Sequence, residues 1–218
     1  MPRRNRARLP PKANSSHLDH LRVAVCEEAA RIMADECIRD FQVAKQKARE
    51  RLGLSRRRVP LPSNKEIDQA LGNRLRLFAA PAFEEALLRL RCAARDAMHL
   101  LKHFEPRLAG ALVRENVTRE TPVEIHLFPD TPEDVADYLH ERSIRYESFE
   151  KRVRYPRDRS RGIPGFRYAV EDIVVEALTF ARKDMGEAPL CPVDGKPMQR
   201  ISLKAVEGWF ADPKADHD

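Results

Sequence analysis

Residues 107–128 read RLAGALVRENVTRETPVEIHLF, and this stretch decides which fold the second half of the chain adopts. An apolar segment enters a glycine turn at Gly110, and a polar loop follows. Apolar and polar residues then alternate over residues 123–128, which predicts a β-strand. Because successive side chains of a strand point to opposite faces, Glu124 and His126 share one face, opposite the apolar residues that alternate with them.

The order of these features resembles the core of the nucleotidyltransferase superfamily, which has the polymerase-β-like fold. In that superfamily a glycine-serine turn holds a triphosphate, and the next strand carries two aspartates. Together with a carboxylate from a neighbouring strand, these aspartates bind the divalent cations that stabilise an in-line displacement. The whole chain also resembles a group of proteobacterial proteins of about this length that are described as nucleotidyltransferase-like. The resemblance covers residues 107–180 and implies a small mixed sheet with flanking helices.

The resemblance is carried over position by position. Gly110 matches the first glycine of the turn, and Ala111 stands where the serine belongs. Together with Arg114 these residues form the phosphate-binding site that the resemblance implies. Pro122 replaces the first aspartate of the motif, and Glu124 replaces the second.

Glu176 is the candidate for the third carboxylate, in a second predicted strand over residues 173–180. Glu124 and Glu176 are therefore the catalytic residues and the Mg²⁺ ligands that the resemblance implies. His126 is a further candidate ligand in an alternative register, although histidine is a poor ligand for Mg²⁺. Because the first aspartate is replaced, we expect an eroded two-metal site that binds nucleotide or nucleic-acid phosphate with weak or no transfer activity.

The same residues admit a purely structural interpretation. Glu124 and His126 can be solvent-facing residues of a half-exposed strand. Glu176 lies among apolar residues of its predicted strand, where an isolated charge is costly. It can therefore be a partly buried carboxylate paired with an arginine.

A second candidate surface lies in the arginine-rich region from residue 142 to residue 167. Arg152, Arg154 and Arg157 are its predicted nucleic-acid contacts, because arginine binds phosphate and exposed aromatic residues stack on bases. The region interleaves its basic residues with Tyr146, Phe149, Tyr155, Phe166 and Tyr168. The alternatives are a non-enzymatic regulator or protein-interaction module that uses this surface, and a charged edge hairpin that resists aggregation.

The composition limits the classes of protein that the chain can belong to. Of its 218 residues 42% are hydrophobic, which is enough for a real core, and its formal charge of +6 suits contact with a polyanion. An excess of arginine is also typical of GC-rich genomes. No apolar run approaches the roughly 18 residues that a bilayer crossing needs. No two cysteines have CxxC spacing, so we expect neither zinc nor disulfides, and we expect a cytoplasmic location. The sequence identifies no protein partner.

Three parts are predicted along the chain. We expect an α+β protein in which residues 1–17 are a disordered basic arm and residues 18–105 are a module of about four helices. Residues 106–212 are then the nucleotidyltransferase-like α/β domain that the resemblance implies, with a C-terminal helix. The stretch Ala29–Phe41 also resembles the opening helix of tetracycline-repressor-type regulators, which makes DNA reading by the helical module an alternative.

Local signals place several elements. A capping box at Ser63–Glu66 begins a helix, the longest helix spans residues 82–104, and Thr131 with Pro132 begins another. Ser202 caps a short final helix, and Glu171 with Asp172 forms a hairpin turn. Strands are predicted at residues 108–113, 123–128, 146–155, 166–170 and 173–180.

Overall fold

The structure is a computed structural model of the chain, and it describes residues 13–55, 59–78 and 80–211. Within these residues the chain forms six α-helices and one six-stranded mixed sheet, which confirms the expected combination of a helical first part with a mixed sheet. The chain divides into two compact units, Met1–Leu71 and Gly72–Asp218. Residues 1–12 of the predicted basic arm lie outside the described residues, and residues 13–17, which were expected to be disordered, belong to helix α1.

The helices are bounded as follows. They are α1 (Ala13–Asp35), α2 (Phe41–Arg51), α3 (Asn64–Phe78), α4 (Ala80–Leu100), α5 (Pro132–Glu141) and α6 (Leu203–Glu207). The strands are β1 (Arg107–Ala109), β2 (Val123–Leu127), β3 (Glu147–Arg154), β4 (Ser160–Val170), β5 (Ile173–Thr179) and β6 (Ile201–Ser202). None of the described helices combines the length and the apolar composition that crossing a membrane requires.

In the first unit α1 packs against α2, and a side-chain cap fixes the start of α2. The Asp40 side chain accepts hydrogen bonds from the amides of Gln42 and Val43 and so caps α2. Leu52, which the apolar spacing places inward, is instead 40% exposed, because α2 already ends at Arg51. The predicted capping box is confirmed, since the Ser63 amide donates to the Glu66 carboxylate at 2.8 Å.

The repressor-like stretch Ala29–Phe41 is not one helix. It is interrupted after Asp35, the last residue of α1, and Cys37 in the interruption has a left-handed backbone with φ of 54°. Phe41 then begins α2. The single helix that this resemblance implies is therefore wrong.

In the second unit the strands lie in the order β3-β4-β5-β2-β1-β6. The central pair β2 and β5 is parallel, and the other neighbours are antiparallel. One face of the sheet is apolar and contains the fully buried side chains of Val123, Ile125 and Val175. Helix α4 packs on this sheet.

The opposite face contains the charged residues of β2 and β5 beside a second apolar cluster. This cluster consists of Phe128, Ile163, Leu178 and Phe180, with Phe149, Val153 and Met185 packed against it. The predicted division of Glu124 and His126 from Val123, Ile125 and Leu127 is confirmed, because the strand alternates as expected. The charged face is where the residues of interest meet.

Several predicted boundaries are wrong, each for a local reason. The strand predicted at residues 108–113 stops at Ala109, because Gly110 has φ of 79° and turns the chain away. The strand predicted at residues 166–170 in fact begins at Ser160. Its first half was not predicted, because Pro164 and the nearby glycines have low strand propensity. Strand β6 is only two residues long and was not predicted.

The helix predicted over residues 82–104 also ends earlier than expected. Helix α4 stops at Leu100, and residues 102–104 form a 3₁₀ turn. Glu105 then adopts φ of 49° before Pro106, which prevents the helix from continuing. Strands β2, β3 and β5, the start of α5 and the cap at Ser202 lie where the sequence predicts them, to within a residue.

Candidate functional site

The two candidate carboxylates lie side by side. Strands β2 and β5 are parallel neighbours, and their register pairs Glu124 with Glu176. The Glu124 side chain is 13% exposed and that of Glu176 is 5% exposed, while His126 is fully buried. The interpretation of Glu124 and His126 as solvent-facing residues is therefore wrong, because the side chains of Lys151, Arg200 and Phe180 pack against them.

A lysine ammonium lies between the two carboxylates. Lys151 belongs to the edge strand β3, and its side chain reaches across β4 toward the centre of the sheet. Its Nζ atom is 2.8 Å from Oε2 of Glu124 and 3.4 Å from Oε2 of Glu176. The ammonium thus contacts one oxygen of each carboxylate.

Glu176 is also paired with an arginine on its other side. Arg167 lies directly across from Glu176 in the register of β4 with β5, and its Nη2 atom is 3.3 Å from Oε1 of Glu176. Its Nη1 atom is 3.3 Å from Oε2 of Glu147, which lies across from it on β3. The interpretation of Glu176 as a buried carboxylate paired with an arginine is confirmed.

His126 connects Glu124 to Arg200. The Nε atom of Arg200 is 2.8 Å from Nδ1 of His126, and Nε2 of His126 is 3.0 Å from Oε1 of Glu124. A guanidinium can only donate, so Nδ1 must accept and the ring proton lies on Nε2. The imidazole is therefore neutral and donates to Glu124.

Burial and neighbouring charges set the ionisation of these groups. Burial opposes the charge of Glu124, but the hydrogen bond from His126 and the ammonium of Lys151 outweigh it and hold the pKa of this carboxyl well below its usual range. Burial lowers the pKa of His126 more than the Glu124 carboxylate raises it. Burial also opposes the charge of Lys151, but Glu124 and Glu176 outweigh it and raise the pKa of the ammonium. At neutral pH the Glu124 carboxylate and the Lys151 ammonium are therefore charged, and the His126 imidazole is neutral.

The Gly110 turn lies against the same carboxylate. A side-chain carbon at Gly110 would lie 3.1 Å from Oε2 and 3.2 Å from Cβ of Glu124. Ala111 begins a 3₁₀ turn over residues 112–114. Arg114 folds back on the turn, because its Nη1 atom donates to the Gly110 carbonyl at 3.1 Å. The structure thus brings the turn next to Glu124, while Arg114 is engaged with the turn itself.

The predicted nucleic-acid contacts lie elsewhere. Arg152 and Arg154 occupy the face of β3 opposite to Lys151, and Arg157 lies in the turn between β3 and β4. All three are exposed, and within the described ranges no ion pair involves them. Lys151 alternates with Arg152 and Arg154 along β3, so these two arginines and the carboxylates lie on different faces of the sheet.

Most of the interleaved aromatic residues are not available to stack on bases. Tyr155, Phe166 and Tyr168 are only 6%, 7% and 4% exposed, because they belong to the core, whereas Tyr146 is 37% exposed. The expectation of an exposed aromatic row is therefore wrong. The surface relies on its arginines alone.

The residues present do not fit the Mg²⁺ ions that the resemblance implies. Pro122 offers no ligand at the first aspartate position, and the facing oxygens of Glu124 and Glu176 already contact Lys151. Among the residues that the structure describes, no group of three or more histidine, cysteine, aspartate and glutamate side chains is arranged to hold a metal ion.

Comparisons of the chain with protein-family models, with curated proteins and with solved structures found no match. The site therefore has to be interpreted from its own geometry. Sequence reasoning missed Lys151, Arg167 and Arg200 as its members. Alternation placed Lys151 on the opposite face from the exposed arginines, but its contact with Glu124 depends on the strand order, which has no local signal.

Proposed function

We propose that this chain is a nucleotidyltransferase-like protein that binds the phosphates of a nucleotide or nucleic acid and transfers nucleotides weakly or not at all. The observation that carries the proposal is a group of exposed arginines, which are Arg152 and Arg154 on the edge strand β3 and Arg157 in the turn that follows it. Unpaired arginines on an exposed edge strand can follow a phosphate backbone. We call these three residues the arginine edge.

The location of phosphate binding follows from electrostatics. A triphosphate at the Gly110 turn would approach the ionised Glu124 carboxylate, and the only cation that contacts this carboxylate among the described residues is Lys151. Lys151 already neutralises that carboxylate. The arginine edge offers positive charge without a bound counter-ion, so it is the better place for an anion. Glu150, on the same face of β3, lowers the local potential without cancelling it.

The test is a binding titration with fluorescent single-stranded and double-stranded oligonucleotides. The double variant Arg152→Glu with Arg154→Glu should weaken binding at least about tenfold and lower the slope of log affinity against log salt by about 1.5–2. The matched control is Lys102→Glu with Lys204→Glu, which changes the net charge equally at exposed positions outside the sheet. Equal losses in both double variants would show that only net charge matters, and no binding at low salt would reject the proposal.

A metal-dependent nucleotidyltransferase is the second candidate. The register that pairs Glu124 with Glu176 is the observation in its favour, because the cation site that the resemblance implies takes carboxylates from neighbouring strands. Pro122 and the contacts of Lys151 with both carboxylates weigh against it. Its test is transfer from labelled nucleoside triphosphates to an oligonucleotide with Mg²⁺ or Mn²⁺ present. Transfer that is lost in Glu124→Gln would establish this function, and transfer that is unchanged in the variant would exclude a role for Glu124.

A further inference from the structure

We infer that Lys151 takes the place of a divalent cation in this fold, and that removing its ammonium turns Glu124 and Glu176 into a cation-binding pair. The inference does not rest on nucleic-acid binding by the arginine edge. It concerns the opposite face of the sheet.

The contacts of Lys151 are those of a bridging cation. Its Nζ atom contacts Oε2 of Glu124 at 2.8 Å and Oε2 of Glu176 at 3.4 Å, and these two oxygens come from adjacent strands in register. An ammonium and a divalent cation both place positive charge between facing carboxylates. The side chain of Lys151 is 36% exposed, so part of it borders solvent, whereas the carboxylates that it contacts are largely buried.

The surroundings of the pair account for the position of this ammonium. Glu124 and Glu176 place two carboxyl groups side by side in a largely buried region, where like charges would repel strongly. Arg167 contacts Glu176 and Glu147 but not Glu124. His126 is neutral, because Arg200 donates to its Nδ1 atom. Lys151 is thus the cation that contacts Glu124 among the described side chains, and without it the neutral His126 is the polar side chain that still contacts this carboxylate.

A free metal ion competes poorly with this lysine in the native chain. The ammonium is tethered to β3, so its effective concentration at the carboxylates is fixed by the fold and does not depend on the solution. A cation would have to displace it and leave a charged lysine beside the metal. The native protein should therefore bind divalent cations weakly at this position.

The test is calorimetric titration with MnCl₂ alone on the full chain. We expect Lys151→Ala to bind Mn²⁺ with at least about tenfold higher affinity than the native protein, which corresponds to about 1.4 kcal/mol. Lys151→Arg is the matched control, because it keeps the positive charge and should bind no more tightly than the native chain. Adding Glu176→Gln to Lys151→Ala should remove the gain.

Two results would overturn the inference. One is Mn²⁺ binding by Lys151→Ala that is no tighter than that of the native chain. The other is native binding that is tight and is lost in Glu124→Gln, since the lysine would then not exclude the metal. If Lys151→Ala fails to fold, Lys151→Met keeps the volume of the side chain, and the same titration applies to it. If neither variant folds, acetylation of the native chain with acetic anhydride replaces the titration. The contacts of Lys151 predict that its ammonium reacts slowly and that MnCl₂ does not change this rate. Rapid acetylation of Lys151 would reject its role as the bridging cation.

Discussion

His126 is neutral in the folded chain because Arg200 donates to one ring nitrogen and burial disfavours a second proton. Its pKa is lowered from the usual 6.5, so the unfolded chain takes up a proton at a pH where the folded chain does not. Stability therefore falls as the pH drops below about 6.5, down to the lowered folded pKa. Glu124 adds a further loss of stability at lower pH. Its pKa is lowered in the folded chain, so below about pH 4.5 the unfolded chain takes up a proton at this carboxyl before the folded chain does.

We predict that the melting temperature falls between about pH 7 and about pH 5, and that it falls less in His126→Gln. The difference between the two curves isolates His126, since the remaining histidines are common to both chains. Circular dichroism melts across this pH range measure it. Parallel curves would mean that His126 does not titrate with unfolding.

Gly110 tests how closely the turn lies against Glu124. In Gly110→Ala the new side chain would sit on a left-handed backbone, with φ of 79°, and its added carbon would crowd the Glu124 side chain. Gly195→Ala is the matched control, because its φ is 69° and an added carbon has no neighbour within 4 Å. We expect Gly195→Ala to lose about 1–2 kcal/mol from backbone strain alone, and Gly110→Ala to lose more. Urea unfolding monitored by Trp209 fluorescence gives the free energy of unfolding of each variant. Equal losses of stability in the two variants would show that crowding at Glu124 contributes nothing.

At the scale of elements, local sequence signals predicted several helix caps and strands correctly, but they could not predict which strands lie beside each other. The capping box at Ser63, the cap at Ser202 and the alternation of β2 and β3 depend on neighbouring residues, and each lies where the sequence indicates. The order of the strands depends on contacts between distant segments, so no local pattern could show that Lys151 meets Glu124. Strand β4 was half concealed, because Pro164 and two glycines have low strand propensity even though the pairing with β3 and β5 tolerates them.

Asp40 gives a prediction for helix α2. Its side chain accepts from the amides of Gln42 and Val43 at 2.7 and 3.0 Å. Asp40→Ala should destabilise α2 by about 1 kcal/mol, whereas Asp40→Asn keeps an accepting oxygen and should be close to native. Amide hydrogen exchange of α2 measures this directly. Equal protection in both variants would mean that the cap does not hold the helix.

At the scale of the whole molecule, charged residues are abundant, but only some of them are neutralised by ion pairs. Charged residues make up 34% of the chain, and many of them pair with one another on the sheet and helices. The arginine edge is exposed and unpaired within the described ranges, whereas the basic and acidic groups of the opposite face neutralise each other. This separation explains why composition predicted a polyanion partner but could not say which surface would meet it.

The same separation predicts how nucleotides affect stability. We expect a nucleoside triphosphate at millimolar concentration to raise the melting temperature without Mg²⁺ or Mn²⁺, because the arginines need no metal to bind phosphate. A thermal-shift screen with each triphosphate, with and without metal, tests this, and inorganic sulfate at matched ionic strength is the control. Stabilisation that requires both nucleotide and metal would favour the two-metal alternative.

The bridging lysine has a consequence for how the protein depends on its cell. A counter-ion that is part of the polypeptide arrives in fixed stoichiometry each time the chain folds, and no chelator can strip it away. The contacts of the Glu124 carboxylate with Lys151 and His126 therefore form from the polypeptide alone and need no dissolved ion.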